Sequence, residues 1–573
     1  MNLISKLSTY QVIFTSLFVT FFVFLMFLPF GFFDFDGGHD AYMTVGALAL
    51  SDGVAPFTGV NLQYGFATSY LQSLVVNFSS QPTLNLRILD SILLAATVGI
   101  SYFAIQSTKK VGGITTESTL LALFTWLGTS YFFVGIPQLP WSTTFILFVS
   151  MLIAAINFKL ASIEKDSSVF AWLVLLGLTV GLSPFLRINA GLALIGFEIV
   201  FILLVSRRLN LKWKTMVVFF TSLVTGFLAI PIYLNGKGYF YEFIQQSVLI
   251  PRRIMYSPAV MGAEGWNTFV TTRNYFLNSL PFIALFLLLK FLIQKYSFKF
   301  ADPGKILMLS AYIIILLTTA LTFAISIVQP MEQYSRILVL LYVSVSICSV
   351  AHILAFIVRE FSEVKSNSIR DWQRFVLSGI SIALLTQTFP TNGPRHIWWS
   401  ILPGLLVLAS YTIDDLKLKE LKRIFVICIS LILLASLAIP LTSNLRQERK
   451  TIDFPSISLG MAVSEKEYTE MKSDFDLLKQ HLGPGKLAYF DCGIGETHWY
   501  AAFDKHYRSQ DLWFINLSFY PGHPIPKWMK RMEDGDIVVV CGDREVQQIR
   551  QKELQLDLVE SGDRLGVYIL KKP

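Results

Sequence analysis

Long apolar runs of about 17 to 25 residues, separated by short polar connections, fill the first 441 positions, and a run of that length is what a helix needs to cross a bilayer. The pattern predicts spans near 12–31, 85–106, 117–136, 142–160, 168–186, 188–206, 215–234, 276–295, 306–328, 336–358, 375–389, 397–413 and 423–441. The first has only a weak basic flank and no small-residue cleavage site before the polar stretch that follows. It therefore reads as a retained helix, not a removed signal. Pro184 and Gly191 fall between two close spans and predict broken or re-entrant helix there.

After position 441 the period changes. Residues 465–481 have a helical pattern, while 486–492, 536–541 and 566–570 read as strands, which predicts a small soluble α/β domain over 442–573. The fold class is thus a polytopic α-helical membrane protein over 1–441, with a soluble α/β tail. The tail has no glycine-rich phosphate loop and no metal-spaced cysteine pair, so it reads as a cap or recognition module. Its apolar-aromatic stretch 513–526 suits ordinary domain core better than a membrane-facing patch.

Composition agrees: 53% of residues are hydrophobic, 15% are charged and the mean hydropathy is +0.56, which excludes an ordinary soluble enzyme. The net charge of +8 is uneven. Residues 442–573 carry 18 Lys and Arg against 20 Asp and Glu, leaving 29 against 19 upstream. The excess base belongs to the membrane part and calls for no nucleic acid, because basic cytoplasmic loops orient helices. Lys109-Lys110, Lys159 with Lys165, Arg207-Arg208, Lys295 with Lys299, the 359–374 segment and Lys417 to Arg423 fall on alternate ends of the spans, hence on one cytoplasmic side. The loops 34–84, 135–141, 235–275, 329–335 and 389–396 then lie outside, together with the tail. Two apolar-patterned pieces of the first outer loop, 41–49 and 67–76, predict helices lying along the interface. Cys348 and Cys428 sit in apolar spans, while Cys492 and Cys541 follow strand-like runs and could pair if the tail is outside the cytoplasm.

The first outer loop concentrates acid where the chain is otherwise apolar. Asp34, Asp36, His39 and Asp40 fall within seven positions around Gly37 and Gly38, which let the backbone turn and bring carboxylates together. That suits a general base or a cation site. The plainer alternative is a solvated loop whose acids cap a helix starting near Asp40.

The order His39-Asp40-Ala41-Tyr42-Met43, then Gly46, Asp52-Gly53, Pro56-Phe57 and Gln63-Tyr64-Gly65, resembles the first outer loop of C-type (GT-C) membrane glycosyltransferases, the superfamily of the protein mannosyltransferases and aminoarabinose transferases. The resemblance extends to the architecture of a leading span, an acidic outer loop, many helices and an extracytoplasmic end. It implies transfer of a sugar, with inversion, from a polyprenyl-phosphate donor to an extracytoplasmic acceptor. It also implies that an aspartate of the first loop serves as base or acceptor-orienting group. Members often carry an acidic pair where this chain has Asp36 followed by Gly37, so Asp36 and Asp40 both remain candidates.

Such a transfer needs a carboxylate for the acceptor's proton and cations for the departing phosphate. Candidate substrate-binding residues are His39, Gln63 and Tyr64 of the first loop, and Arg187 with Asn189 at a helix end. Arg252 and Arg253 follow Pro251, and Arg395 and His396 lie in the turn before Trp398 and Trp399. Arg187 is equally suited to snorkelling, Arg252 and Arg253 suit plain solvated surface better, and the two tryptophans suit an aromatic belt better than stacking. Inside the membrane, Glu198 must be protonated, paired or facing a cavity, and His352 reads as an interhelical hydrogen-bonding residue.

The alternative is a transporter or flippase of lipid-linked glycan. It would show interrupted helices in two matching halves and a midplane path of charges, which this pattern lacks. A structural assembly protein, the third class, would leave the acidic loop replaceable. The cofactor is unknown: an acidic loop accommodates metal-dependent and metal-free catalysis alike. The expected location is a plasma (inner) membrane, with the site and the tail on the extracytoplasmic side.

Overall fold

The computed structural model describes residues 3–35, 39–58, 60, 62, 65–109, 112–134, 140–163, 169–209, 213–249, 334–361, 367–388, 394–415, 433–434, 438, 441–442, 444–482, 488–491, 533–562 and 564–571. The expected spans 276–295 and 306–328, most of 423–441, and the 513–526 stretch lie outside them.

The membrane part is a helical bundle. α1 (Leu3–Phe27) leads into the loop segment, where α2 (His39–Ser51) and α3 (Phe66–Ser73) lie, and α4 (Pro82–Thr108) follows. Then come α5 (Thr116–Val134), α6 (Ser142–Ser162), α7 (Val169–Leu182), α8 (Ile188–Leu209), α9 (Trp213–Gly236) and the short α10 (Phe240–Ile244). Beyond the undescribed stretch, α11 (Tyr334–Phe361), α12 (Ile369–Leu385) and α13 (Pro394–Asp415) complete the described part of the bundle. Among the described residues six helices are long and apolar enough to cross a membrane, and 169–185 and 397–411 form shorter apolar helices. This is a multi-span membrane protein. α1 is its lipid-facing rim, with Phe14, Phe18 and Phe21 all exposed.

The break expected at Pro184 and Gly191 is present. α7 ends at Leu182, a 3-10 turn spans Ser183–Phe185, and α8 begins at Ile188. A Cβ on Gly191 would fall 2.3 Å from the Pro184 nitrogen, so only glycine lets α8 return so close to the turn. α12 starts six residues earlier than the apolar pattern predicts. Ser368 accepts from the Asp371 amide while the Asp371 carboxylate accepts from the Ser368 amide, a capping box that pulls the charged segment into the helix.

The basic residues gather at one end of the bundle, as their alternation predicted. Arg208 of α8 donates to the Ala161 carbonyl (2.8 Å) and lies over the Trp372 ring, and Arg207 lies over Phe361. Arg370 reaches Gly113 O at 3.4 Å.

The tail contains a two-stranded antiparallel pair, β1 (Arg449–Thr451) and β2 (Ala462–Ser464), followed by α14 (Glu465–His481). Next is a four-stranded sheet of β3 (Ala488–Asp491), β4 (Ile537–Cys541), β5 (Leu556–Ser561) and β6 (Leu565–Leu570), with α15 (Arg544–Leu554) between β4 and β5. The sheet order is β3-β4-β6-β5, with β3 and β4 parallel and the rest antiparallel. The polar alternation of β5 and the mostly polar α15 hid both from the hydrophobic pattern.

One result departs from expectation: α2 does not lie along an interface, and nearly all of it is buried. Tyr42, Met43 and Ala47 belong to the core of the bundle, while Ala41, Val45 and Ala49 belong to a second core that includes Ile452, Phe475 and Val567 of the tail. One helix thus joins two cores, and the first loop and the tail share one of them. α3, by contrast, is inverted relative to a soluble helix, as an interfacial helix at 67–76 should be. Its Thr68, Ser69 and Gln72 are buried, whereas Tyr70 and Leu71 are exposed, followed by exposed Leu74 and Phe78. Apolar residues outward and polar residues inward is the arrangement of a helix that meets lipid on its outer face.

Candidate active site

An arginine inside an apolar helix has to find partners, since leaving it unpaired at membrane depth costs about 2.5–3.5 kcal/mol or more. Arg87, in the second turn of α4, makes five hydrogen bonds to four residues. Its Nε donates to Asp40 Oδ1 (3.0 Å) and its Nη2 to Asp40 Oδ2, giving a two-pronged ion pair in which both side chains are fully buried. Its Nη1 donates to the carbonyls of Gly31 (3.2 Å) and Phe33 (2.7 Å), and Nη2 also to that of Asp34. One guanidinium therefore closes the base of the acidic loop, holding residues 31–34 on one side and Asp40 on the other. Composition and motif do not single out Arg87. The available signal was the position of an unpaired arginine just inside a span, next to the one acid-rich loop.

Asp40 is accordingly no free carboxylate. Of the two aspartates left open by the sequence, Asp36 lies outside the described residues, as do Gln63, Tyr64, Arg252 and Arg253. His39, Arg395 and His396 fall within the first turns of α2 and α13, which the backbone defines.

The loop is drawn onto the helix ends beside it. Gly65, which ends the Gln63-Tyr64-Gly65 motif, presses its backbone against the 183–185 turn: an added Cβ would sit 2.1 Å from Phe185 O. Thr68 donates to Leu186 O (3.1 Å) and Gln72 to Pro140 O (2.7 Å). The turn so approached carries Arg187, which donates to Ser142 Oγ at the start of α6 (2.9 Å) and to Gln387 O after α12 (3.5 Å). Asn189 donates to Thr386 O (3.0 Å), and Gln387 in turn donates to Ser400 Oγ of α13 (2.7 Å). Arg187 and Asn189 are thus brought to the 386–388 segment, which precedes Arg395 and His396 in the chain. A small pocket lined by Tyr42, Leu62, Thr68, Gln72 and Ser142 lies between the loop and this junction.

The tryptophans after Arg395 are neither a belt nor an open stacking surface. Trp398 stacks on Trp126 of α5 with ring centroids 4.4 Å apart, and each indole N–H donates to the other residue's carbonyl (2.9 and 2.8 Å). Trp399 packs beside Trp141 at 5.7 Å, and all four are buried. Aromatic residues at a span end suit a belt by composition, but here a facing helix supplies carbonyls for the indoles.

The tail reaches the same loop. Phe33 forms a parallel bridge with Ala462, Asp34 N donates to Ala462 O (3.1 Å), and Arg449 Nη1 meets Asp34 Oδ1 at 2.6 Å. The acidic loop, the Arg187 junction and the tail therefore share one face of the bundle, opposite the basic end. Within the membrane, Glu198 is paired at one oxygen, which accepts from Asn157 Nδ2 (2.8 Å), and His352 lies between the Tyr411 hydroxyl and Asp371 O, the interhelical contact expected of it. Among the described residues no group of three or more His, Cys, Asp or Glu is placed to hold a metal ion. Cys541 is disulfide-bonded, and Cys492 lies outside the described residues.

No family model and no curated protein matches the sequence. Among solved structures, the chain is similar to ArnT from Cupriavidus metallidurans bound to undecaprenyl phosphate, with 13% identity and a TM-score of 0.41 over 98% of each chain. ArnT in the apo state gives 12% identity and a TM-score of 0.38 over 98% of this chain and 99% of that one. The oligosaccharyltransferase of Archaeoglobus fulgidus, in complex with Zn and sulfate, gives 13% and 0.43 over 86% of this chain and 61% of that one. A likeness of this size assigns no activity.

Proposed function

We propose that this protein is an inverting membrane glycosyltransferase that moves a sugar from a polyprenyl-phosphate donor to an extracytoplasmic acceptor. In this reading the acceptor hydroxyl or amine attacks the anomeric carbon, the bond from that carbon to the phosphate oxygen breaks, and the acceptor's proton passes to an aspartate of the first loop. Polyprenyl phosphate departs with the electron pair. The observation that carries the reading is the buried Arg87–Asp40 clamp, which holds the two ends of an acid-bearing loop against the face where Arg187 and Asn189 converge. Asp36 is the base, because both oxygens of Asp40 already accept from Arg87 and Asp40 has no exposed surface. Asp40 orients the loop.

Arg187 and Arg395 attend the leaving phosphate, with Arg252 and Arg253 at the rim, while Asn189, His39, Gln63, Tyr64 and His396 contact sugar or acceptor. The inverted α3 supports approach of the donor from the bilayer. The face that bears the loop and the tail is extracytoplasmic, supported by the basic residues at the other end and by the disulfide at Cys541. The membrane is the plasma (inner) membrane, residues 1–441 form the catalytic bundle and 442–573 the extracytoplasmic part.

The test is release of undecaprenyl phosphate from undecaprenyl-phosphate-linked sugars by the protein reconstituted in vesicles. Asp36→Asn is expected to lower turnover by about 10²–10⁴-fold, the usual contribution of a general base, with no change in thermal stability. Asp40→Asn is expected to lower both turnover and stability. Full turnover by both variants would remove the proposal, as would failure of every sugar donor with the native protein.

A further inference from the structure

Asp34 is the point at which bundle, loop and tail meet, and it is held in an unusual way. Its φ of +54° lies in the left-handed region, which aspartate enters more readily than most side chains other than glycine's but still adopts seldom unless its surroundings hold it there. Three contacts hold it there. Its amide donates to Ala462 O of β2, its carbonyl accepts from Arg87, and its carboxylate accepts from Arg449 Nη1 at 2.6 Å. Strain of this kind persists only where the surroundings over-determine the conformation, and it gathers at functional sites.

Arg449 is itself oriented before it meets Asp34. Its Nε donates to Asn444 O (3.2 Å), and its Nη2 to Asn444 Oδ1 and Gln447 Oε1 (both 2.9 Å). Its second Nη1 bond goes to Ala462 O (3.1 Å), and its plane covers the Phe33 ring at 5.2 Å. The side chain is 8% exposed, whereas that of Asp34 is 64% exposed. The rigid partner is in the tail, and the one that has to be held is in the loop. Adhesion between the two does not require this pair, because Phe35, Ala41 and Val45 already share an apolar core with Ile452 and Phe475. What the ion pair adds is a direction for the side chain and backbone at one loop residue.

We infer that Arg449 is a positioning residue: through Asp34 the tail sets the conformation in which the acidic loop leaves α1, so the tail tunes the reaction without touching the substrate. The inference rests on the proposed catalytic role of the first loop, and its test is chosen so that the two can fail separately. Hydrogen exchange on the full chain in nanodiscs reads the loop directly. In Arg449→Ala the peptide covering residues 33–40 is expected to exchange at least about tenfold faster, with exchange in α4 and α14 unchanged and a melting-temperature loss no larger than that of Arg374→Ala, which removes hydrogen bonds and a cation–π contact of the same kind. In the undecaprenyl phosphate release assay the same variant is expected to lose roughly 10²-fold in kcat with KM for the donor unchanged, the size of effect that a small misplacement produces. Arg449→Lys, which keeps the charge but not the fork, should recover part of this loss. Asp34→Asn, which keeps an acceptor oxygen but not the charge, should reproduce part of it, and the double variant should be no worse than Arg449→Ala alone, because both substitutions act on the same contact. Unchanged exchange at 33–40, or losses that multiply in the double variant, would overturn the inference. Faster exchange in a protein whose native form releases no undecaprenyl phosphate would uphold the latch and remove the glycosyltransferase reading instead.

Discussion

Arginines at the two ends of the bundle are used differently. At the loop end, Arg87 directs three of its five hydrogen bonds to main-chain carbonyls of residues 31–34, so it fixes the path by which the chain leaves the 3-10 turn 28–32 and reaches the bridge to Ala462. At the basic end, Arg374 of α12 donates to Ser410 Oγ (2.9 Å) and Ser410 O (3.1 Å) of α13 and lies 3.7 Å from the Tyr411 ring centroid. It joins two helices whose own hydrogen bonds already fix their backbones. An arginine that shapes a loop is coupled to what the loop does, whereas one that ties helix to helix is coupled only to stability. The pairing partners differ too. Asp40 is a fully buried charge held by Arg87 from both oxygens, while the α13 groups that Arg374 meets, Ser410 and Tyr411, are neutral, and the Asp371 carboxylate near Arg374 is also paired with Arg359 and Ser368.

That contrast can be broken most directly by removing each arginine in turn. Arg87→Ala removes the cation from a buried carboxylate and the donor from three carbonyls, so thermal or denaturant unfolding should report a loss of about 3–5 kcal/mol. Arg87→Lys should recover little of it, since a lysine cannot form the two-pronged contact. Arg374→Ala should cost about 1–2 kcal/mol, the range for hydrogen bonds from a charged group together with a cation–π contact, and leave turnover per folded molecule unchanged. Equal losses from the two alanine variants would end the distinction.

Next in size is Gly65→Ala, which has to push the loop off Phe185 O. Because the obstructing atom is backbone, a loss of about 1–3 kcal/mol is expected, together with reduced undecaprenyl phosphate release. Trp398→Phe keeps the stacking but removes one indole donor from the pair with Trp126. About 1 kcal/mol should be lost, with activity retained.

The smallest expected effect is a pH dependence at the loop–tail junction. Half-burial raises the carboxyl pKa of Glu467 in α14 above its ordinary value, and the nearby Asp34 carboxylate adds to this against the opposing Arg564 and Arg449. A carboxyl whose folded pKa is raised holds its proton longer in the folded state, so stability falls as pH rises from its ordinary value through the raised one. Glu467→Gln should flatten that slope in a melting-temperature series from pH 4 upward, while a mutation at the basic end should leave the slope in place.

Much of the site region was legible in advance because its signals are local. Spans, their alternating basic ends and the acid-rich loop are patterns of composition over short windows, and the 465–481 helix emerged with the bounds that α14 has. Arg87 was not legible, because its meaning lies in partners up to 56 residues away in the chain. The two tryptophans after Arg395 were misjudged for the same reason: a belt and a buried stack have the same composition, and only the facing Trp126 separates them.

The sequence alone determined that the chain crosses a membrane many times and where acid and base concentrate along it, since apolar length and charge spacing are properties of contiguous residues. Only the tertiary structure decided that α2 joins two cores, that Asp40 is consumed by Arg87 and that the tail takes hold of Asp34. Each of these depends on which side chain meets which across long stretches of chain, and packing and burial settle that after the local elements have formed.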